Sequence, residues 1–171
     1  MAALQQNQYR FRIFEVRMSN EPVRKHTRLT EYDYSSTGAY FVTICTRDRR
    51  PLFWSGPGVL SPEGNTALNC LFDVSRHIPA VKLDVYSVMP DHVHAIFWVE
   101  AVGPPYMAAD RSKQTVSRTV QQYKSAVTRL TGYKSLWQSG FYEHVIRNSD
   151  DLSEIRQYIL NNPKKWILCK E

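Results

Sequence analysis

The sequence predicts an α+β protein in which an antiparallel sheet of four or more strands carries helices on one face. Stretches rich in β-branched and aromatic residues alternate with stretches whose apolar residues recur every three or four positions. Two of the strand-like stretches are separated by only a Pro-Asp dipeptide, which requires an antiparallel pair. With 171 residues, 43% of them hydrophobic, we predict a single domain over 1–171, with an N-terminal arm (1–38) and a core (39–166).

The first half of the core reads as a strand, a loop and a helix. The strand is predicted at Ala39–Thr46, where aromatic and β-branched residues cluster. An arginine-containing loop follows and breaks at Pro57-Gly58. The helix is predicted from Pro62 to His77, because proline suits the first helical position and Ser61 suits the N-cap.

A hairpin and a long helix come next. "KLDVYSVM" and "HVHAIFWV" are the paired strands, and Glu100–Ser112 is predicted to be a loop because of its glycine and prolines. One apolar stripe then predicts an amphipathic helix. The stripe consists of Val116, Val120, Tyr123, Val127 and Leu130.

The last two elements are a strand at Phe141–Arg147 and a helix that carries the apolar residues of "LSEIRQYIL". We expect Asp151 to cap this helix and Asn162 to end it, because Asn162 precedes Pro163. The order of the first six elements matches a ferredoxin-like βαββαβ unit, to which the C-terminal helix is added.

The positive charge of the chain is concentrated in one segment. The formal net charge is +6, yet residues 111–142 hold six Lys and Arg residues and no acid, while the flanking regions each sum to zero. Such a segment is typical of a protein that binds a polyanion, although a solvated helix face has the same composition.

Cysteine content and hydropathy predict a cytoplasmic protein with no membrane partner. The three cysteines lack a C-x-x-C spacing, which fits a reducing compartment. There is no run of 18 apolar residues and no apolar signal core near the N-terminus.

Two histidines stand out in the second strand of the hairpin. His92 and His94 share one strand face, while the other face is wholly apolar and should pack against the helices. Two imidazoles on one face can converge on a metal ion, provided that a third ligand joins them. The alternative is that both histidines lie on a solvent-exposed surface of the sheet.

Several motifs resemble those of one known family. "MPDHVH" (89–94) resembles the His-hydrophobic-His signature of HUH single-strand nucleases, and "YILNNP" (158–163) resembles the tyrosine helix of REP-associated tyrosine transposases. That family is related to the single-tyrosine transposases of simple bacterial insertion sequences. Three further stretches are similar to it: "RLTEYDYSSTGAYFVTICTRDRRPLF", "YKSAVTR" and "LWQSGFYEHVIRN".

The resemblance implies a metal-dependent enzyme that cleaves single-stranded DNA through a 5′-phosphotyrosine intermediate. It implies that Tyr158 is the nucleophile and that His92, His94 and Asn162 bind Mg²⁺ or Mn²⁺. Tyr158 and Asn162 are four residues apart, so they are neighbours on one helix face. Tyr142 is the alternative nucleophile.

The resemblance also implies that the partner is single-stranded DNA whose palindromic repeats form hairpins. Positively charged residues of the arm and of the long helix are the expected contacts to it. These are Arg24, Lys25, Arg28, Arg118, Lys124 and Arg129. The oligomeric state, monomer or homodimer, is left open.

Two other functions fit the same residues. One is a non-catalytic nucleic-acid-binding protein on the same scaffold. The other is a metal-dependent phosphohydrolase that uses water, with Tyr158 in a structural role. We predict that Asp91 is a turn residue on the other side of the strand, and we assign no role to Glu143 or His144.

Overall fold

A four-stranded antiparallel sheet with helices on both faces forms the part of the chain that the computed structural model describes, residues 38–100 and 105–169. In chain order the elements are β1 (Gly38–Cys45), a 3-10 turn (Arg47–Arg49), β2 (Trp54–Gly56), β3 (Val59–Leu60), α1 (Pro62–His77), β4 (Val81–Val88), β5 (His92–Val99), α2 (Pro105–Thr131), β6 (Tyr142–Ile146) and α3 (Ser149–Leu168). Strands β2 and β3 form a separate small hairpin.

The predicted α+β architecture is confirmed. The strand order in the sheet is β4-β5-β1-β6, with every neighbouring pair antiparallel, which is the ferredoxin-like arrangement of a βαββαβ unit. The strands of this unit are, in chain order, β1, β4, β5 and β6. In the sheet, β5 lies between β4 and β1. Strand β5 is therefore central and must be covered on both faces.

Side-chain alternation in the central strands divides the core into two layers. On one face, residues such as Tyr40, Val42 and Phe97 pack beneath α1 and α2. On the other face, Phe41 and Ile96 pack beneath the apolar side of α3. Since α3 covers the face that α1 and α2 leave open, the predicted histidine face is inside the protein.

Helix α1 and its cap match the prediction. The helix runs from Pro62 to His77, and the Ser61 hydroxyl accepts a hydrogen bond from the Gly64 amide at 3.0 Å. The break at Pro57-Gly58 is the turn of the small β2–β3 hairpin, in which Gly58 has a φ of +70°. That hairpin itself was not predicted, because its strands are only two and three residues long.

Helix α2 begins earlier than predicted. The expected loop at Glu100–Ser112 is wrong in its second half, since the helix starts at Pro105. Proline is well suited to a first helical position, so the same residue that suggested a loop begins the helix. The apolar stripe is buried as far as Val127, whereas Leu130 in the last turn is 63% exposed.

Both ends of α3 differ from the prediction. The N-cap is Asn148, whose side chain accepts a hydrogen bond from the Asp151 amide at 2.8 Å, so Asp151 is not the cap. The helix also continues through Pro163 to Leu168 instead of ending at Asn162. Proline cannot donate to the carbonyl four residues earlier, but packing can compensate for one lost bond. Beyond Pro163, the Ile167 side chain lies close to the turn of the small hairpin, since a Cβ added at Gly58 would be 3.4 Å from Ile167 Cδ1.

No helix in residues 38–100 or 105–169 is long and apolar enough to cross a membrane. The predicted N-terminal arm, 1–38, lies outside the described residues except for Gly38, which begins β1.

Gly64 is a position where the fold tolerates no side chain. A Cβ there would lie 2.1 Å from the Phe53 carbonyl oxygen, because the first turn of α1 packs directly on the preceding loop. We expect Gly64→Ala to destabilise the protein by about 1–3 kcal/mol or more, measured by urea unfolding. Gly56→Ala is the matched control, since a Cβ at Gly56 would meet nothing within 4 Å. Equal stability of the two variants would contradict this packing.

Candidate active site

The two predicted histidines lie at the start of β5, between the sheet and α3. Each is 1% exposed, so the alternative of a solvent-exposed surface pair is wrong. The His92 Nε2 and His94 Nε2 atoms are 3.0 Å apart, and the ring centroids are 4.5 Å apart. The strand alternation therefore brings both imidazoles to one point inside the protein.

The outer nitrogen of each imidazole has a hydrogen-bond partner. His92 Nδ1 lies 2.6 Å from the Asp91 carboxylate, and His94 Nδ1 lies 2.9 Å from the Thr43 hydroxyl. A carboxylate only accepts, so His92 Nδ1 carries the proton and His92 Nε2 presents a lone pair. With His92 in this tautomer, His94 Nε2–H donates to that lone pair and the Thr43 hydroxyl donates to His94 Nδ1.

The same contacts fit a divalent cation. Two neighbouring ligands of an octahedral ion, each about 2.1 Å from it, are roughly 3.0 Å apart, which matches the observed Nε2–Nε2 separation. A hydroxyl can accept as well as donate, so Thr43 can also partner the His94 tautomer that protonates Nδ1 and frees Nε2. Histidine ligands in metal sites ordinarily donate their other ring N–H to a carboxylate, a backbone carbonyl or water, and Asp91 is such a partner for His92.

Burial keeps both rings uncharged at neutral pH. It lowers the pKa of His94 well below its usual value, and repulsion from His92, when that ring is protonated, and from the Arg49 guanidinium lowers the pKa further. Burial also lowers the pKa of His92, although the hydrogen bond and charge of Asp91 oppose this. Neutral imidazoles retain the lone pairs that a metal ion requires.

Asp91 is part of the site. It lies in the turn before β5, as predicted, but the prediction that it points to the other side of the strand is wrong, because its carboxylate contacts His92. Its carbonyl accepts hydrogen bonds from the Thr46 amide at 2.9 Å and the Thr46 hydroxyl at 3.0 Å. The Phe53 amide bonds the neighbouring Pro90 carbonyl at 2.9 Å. Asp91 precedes the regular strand, so alternation does not apply to it, and these bonds aim its side chain at His92.

Arg49 completes this group from the 3-10 turn after β1. Its Nε lies 3.0 Å from the second carboxylate oxygen of Asp91, and its Nη1 donates to Cys45 Sγ at 2.8 Å. Burial would raise the pKa of Asp91, but the interactions with His92 and Arg49 outweigh it and hold that pKa below its ordinary value. Arg49 has a φ of +53°, an uncommon conformation that is found preferentially at functional sites.

Tyr158 lies beside the histidine pair. Its ring is 5.4 Å from that of His94 and 6.2 Å from that of Phe41, both edge to face. The surrounding apolar layer includes Ile155 and Ile159 of the same helix, which are buried. The predicted tyrosine therefore contacts His94, which in turn contacts His92, although more than sixty residues separate the tyrosine from the histidines in the chain.

Asn162 follows Tyr158 by one helical turn and lies on the same flank of α3. Its amide nitrogen is buried and has no hydrogen-bond partner among the described residues. This nitrogen is therefore not committed to another described part of the protein. Within the described ranges, no group of three or more His, Cys, Asp or Glu side chains is arranged to hold a metal ion.

The structure gives His144 a contact that the sequence did not suggest. Its Nε2 lies 2.8 Å from Asp151 Oδ2, which ties the first turn of α3 to strand β6.

Tyr142, the alternative nucleophile, lies on β6 opposite Thr43 in the neighbouring strand β1. Its ring is 6.1 Å from that of Phe41, while Tyr158 makes the ring contact with His94.

The predicted DNA-contacting residues fall into three groups. Arg24, Lys25 and Arg28 lie outside the described residues. Arg118 and Arg129 are exposed on α2, across the sheet from the histidines. The Lys124 ammonium is half-buried and donates to the carbonyls of Gln138 at 2.8 Å and Gly140 at 2.7 Å, so it also holds the loop before β6.

Comparisons with known proteins agree with this fold and site. The model of the family described as "Transposase IS200 like" matches residues 35–162. An uncharacterized protein of Haemophilus influenzae is 31% identical over 161 residues, covering 84% of this chain and 89% of its own. The REP-associated tyrosine transposase of Escherichia coli K12 is 28% identical over 136 residues, covering 78% of this chain and 72% of its own.

A solved structure is similar as well. A REP-associated tyrosine transposase bound to a REP hairpin matches with a TM-score of 0.62 at 26% identity, covering 81% of this chain and 73% of that one. The chain belongs to the IS200-like transposase family. Among its members, it is similar to the REP-associated tyrosine transposases.

Asp91 is expected to matter for metal affinity through its hold on His92. We expect Asp91→Asn to weaken Mn²⁺ binding roughly 10- to 100-fold, because an amide oxygen holds the His92 ring and its tautomer less firmly than a carboxylate does. The measurement is isothermal titration of the purified protein with Mn²⁺. Asp48→Asn removes the same charge from an exposed residue of the adjacent turn and is expected to leave the affinity unchanged. Equal affinities for both variants would contradict this role.

Proposed function

We propose that this protein is a transposase-type strand transferase that cleaves single-stranded DNA beside a hairpin and stays covalently joined to the 5′ end that it creates. The observation that carries the proposal is the meeting of Tyr158 with the buried His92–His94 pair, at a ring separation of 5.4 Å from His94. Family membership supports the reaction class, and the hairpin bound to the structural relative supports the substrate class.

The protein's own groups account for the parts of such a reaction. His92 and His94, with Asn162, would hold a Mg²⁺ or Mn²⁺ ion. When bound, that ion would supply polarisation of a scissile phosphate oxygen. Asp91 and Thr43 fix the two imidazole rings, and α3 brings the Tyr158 phenol to the same place. Covering the site with α3 also excludes water from the histidine pair, which is 1% exposed.

The covalent step exchanges one phosphoester for another. The phenolic oxygen of Tyr158 attacks the phosphorus, a bond from Tyr158 to phosphorus forms, and the bond from phosphorus to the 3′ oxygen breaks. The departing 3′ oxygen gains the proton that the phenol loses and becomes a hydroxyl. Because the number of phosphoester bonds is unchanged, attack by another 3′-hydroxyl can rejoin strands without an external energy source.

The test is a covalent-adduct assay with single-stranded hairpin DNA. The downstream fragment carries the 5′ phosphate, so DNA labelled at its 3′ end should migrate with the denatured protein, and 5′-labelled DNA should give a short free fragment. We expect Tyr158→Phe to abolish the adduct and the cleavage, because it removes the attacking oxygen. Tyr142→Phe, the matched control on β6, should retain both, and chelation with EDTA should abolish both.

Each other result points to a different function. Cleavage that survives Tyr158→Phe would indicate hydrolysis by water, and an adduct lost in Tyr142→Phe would assign the nucleophile to β6. Binding without cleavage across a panel of palindromic repeats from the host genome would indicate a non-catalytic DNA-binding protein.

The basic residues of α2 are expected to differ in role. We expect Arg118→Ala to weaken binding to hairpin DNA and to reduce the slope of log affinity against log salt by about one, because an exposed guanidinium can contact one phosphate. Lys124→Met should instead lower the melting temperature, since two loop carbonyls lose their donor. The measurements are fluorescence anisotropy over a salt series and thermal unfolding.

Arg76→Ala is the matched control for these two variants. Arg76 is an exposed arginine on α1, outside the basic segment, where it pairs with Asp73. A salt slope equal to that of Arg118→Ala would show that the effect is not specific to α2.

A further inference from the structure

Strand β4 contains a bulge directly beneath the tyrosine helix. Leu83 pairs with Phe97 and Tyr86 with Ala95, so two residues of β4, Asp84 and Val85, face a single residue of β5. Leu83 and Tyr86 both pack in the layer of α1 and α2, whereas Val85 packs in the layer of α3. The bulge therefore turns two consecutive side chains, an acid and an apolar residue, toward α3.

The acid at this bulge bonds α3 and the sheet at once. Asp84 Oδ2 accepts from Arg156 Nη2 at 2.6 Å, from Arg156 Nε at 3.0 Å and from Trp98 Nε1 at 3.1 Å. The side chains of Asp84 and Arg156 are 18% and 40% exposed, so the pair is partly shielded from water. A guanidinium with two N–H groups on one oxygen has a fixed orientation, which a single contact would not give.

The position of Arg156 on α3 makes this contact relevant to Tyr158. At about 100° per residue, Arg156 lies roughly 80° to one side of the midline between the buried Ile155 and Ile159, and Tyr158 lies roughly 80° to the other side. An apolar stripe on a sheet fixes depth well but resists rotation about the helix axis weakly, because its contacts are not directional. A directional bond on one flank therefore sets how far the tyrosine on the other flank reaches.

The first turn of α3 has an anchor on the opposite edge of the sheet. Asp151 bonds His144 of β6, while Arg156 bonds Asp84 of β4, and these are the two edge strands. Between the two contacts the helix crosses the sheet, and Tyr158 follows the second contact by two residues. A rotation of about 10° would move an atom about 9 Å from the helix axis, such as the phenolic oxygen, by about 1.5 Å.

We propose that the Asp84–Arg156 pair is a positioning device that sets the rotation of α3 and thereby the approach of Tyr158 to the histidine pair. The effect of this pair on catalysis rests on the proposed function. A displacement of about 1 Å at a reacting atom can reduce a rate roughly 100-fold, so the pair governs the rate of adduct formation more than DNA affinity.

The first experiment measures single-turnover adduct formation at saturating hairpin DNA, the dissociation constant for that DNA and the melting temperature. We expect Asp84→Asn and Arg156→Gln to slow adduct formation roughly 10- to 100-fold and to change the dissociation constant less than about twofold. The exchanged double variant Asp84→Arg with Arg156→Asp should recover part of the rate. Glu100→Gln, which breaks the Lys82–Glu100 pair at the same sheet edge without touching α3, should behave as wild type.

A second measurement does not depend on cleavage. 3-Fluorotyrosine incorporated at position 158 should show a ¹⁹F shift that changes in Asp84→Asn and Arg156→Gln, returns toward wild type in the exchanged variant and stays constant in Glu100→Gln. Normal rates in the two single variants would overturn the positioning role while leaving the proposed function intact. Absence of any adduct in the wild-type protein would refute the proposed function, and an unchanged ¹⁹F signal would then refute the positioning role independently.

Discussion

The site depends on burying two uncharged imidazole rings against one another beneath a helix. A buried polar group without a partner is costly, so each ring nitrogen must be accounted for. Asp91 and Thr43 satisfy the outer nitrogens, and the inner nitrogens face each other at 3.0 Å. The rest of the arrangement follows from this requirement, because the loop that holds Asp91 and the helix that covers the rings must both be in place.

The central strand β5 meets this requirement because its two faces pack against different helices. Val93, Ala95 and Phe97 fill the layer under α1 and α2, which makes the strand a rigid support. His92 and His94 occupy the other face, where α3 supplies both the cover and Tyr158. Reactive groups on a strand and a helix are held more precisely than groups on loops, which suits chemistry that depends on short distances.

The sequence predicted the periodic parts of the fold and the main site residues. Strand alternation placed His92 and His94 together, helical spacing placed Tyr158 and Asn162 on one flank, and the resemblance linked the two halves. The ion pair between Asp91 and Arg49 could not be predicted from the sequence, because it depends on how the loop after β1 folds back on the Pro90–Asp91 turn. Local rules also misjudged both ends of α3, since Asn148 and not Asp151 is the cap and the helix continues through Pro163.

The bulge in β4 has a consequence for how such a protein can change over evolution. At the bulge, β4 has one residue more than β5. On either side of the bulge, side chains still alternate between the two faces of the sheet. An insertion of this kind at an edge strand can add a charged group to one face of a sheet without repacking the other face. Asp84 is such a group, and it contacts the last helix without being part of the core layer under α1 and α2. At this edge of the sheet, a substitution can therefore alter how the helix that carries Tyr158 is held while the histidine strand stays unchanged.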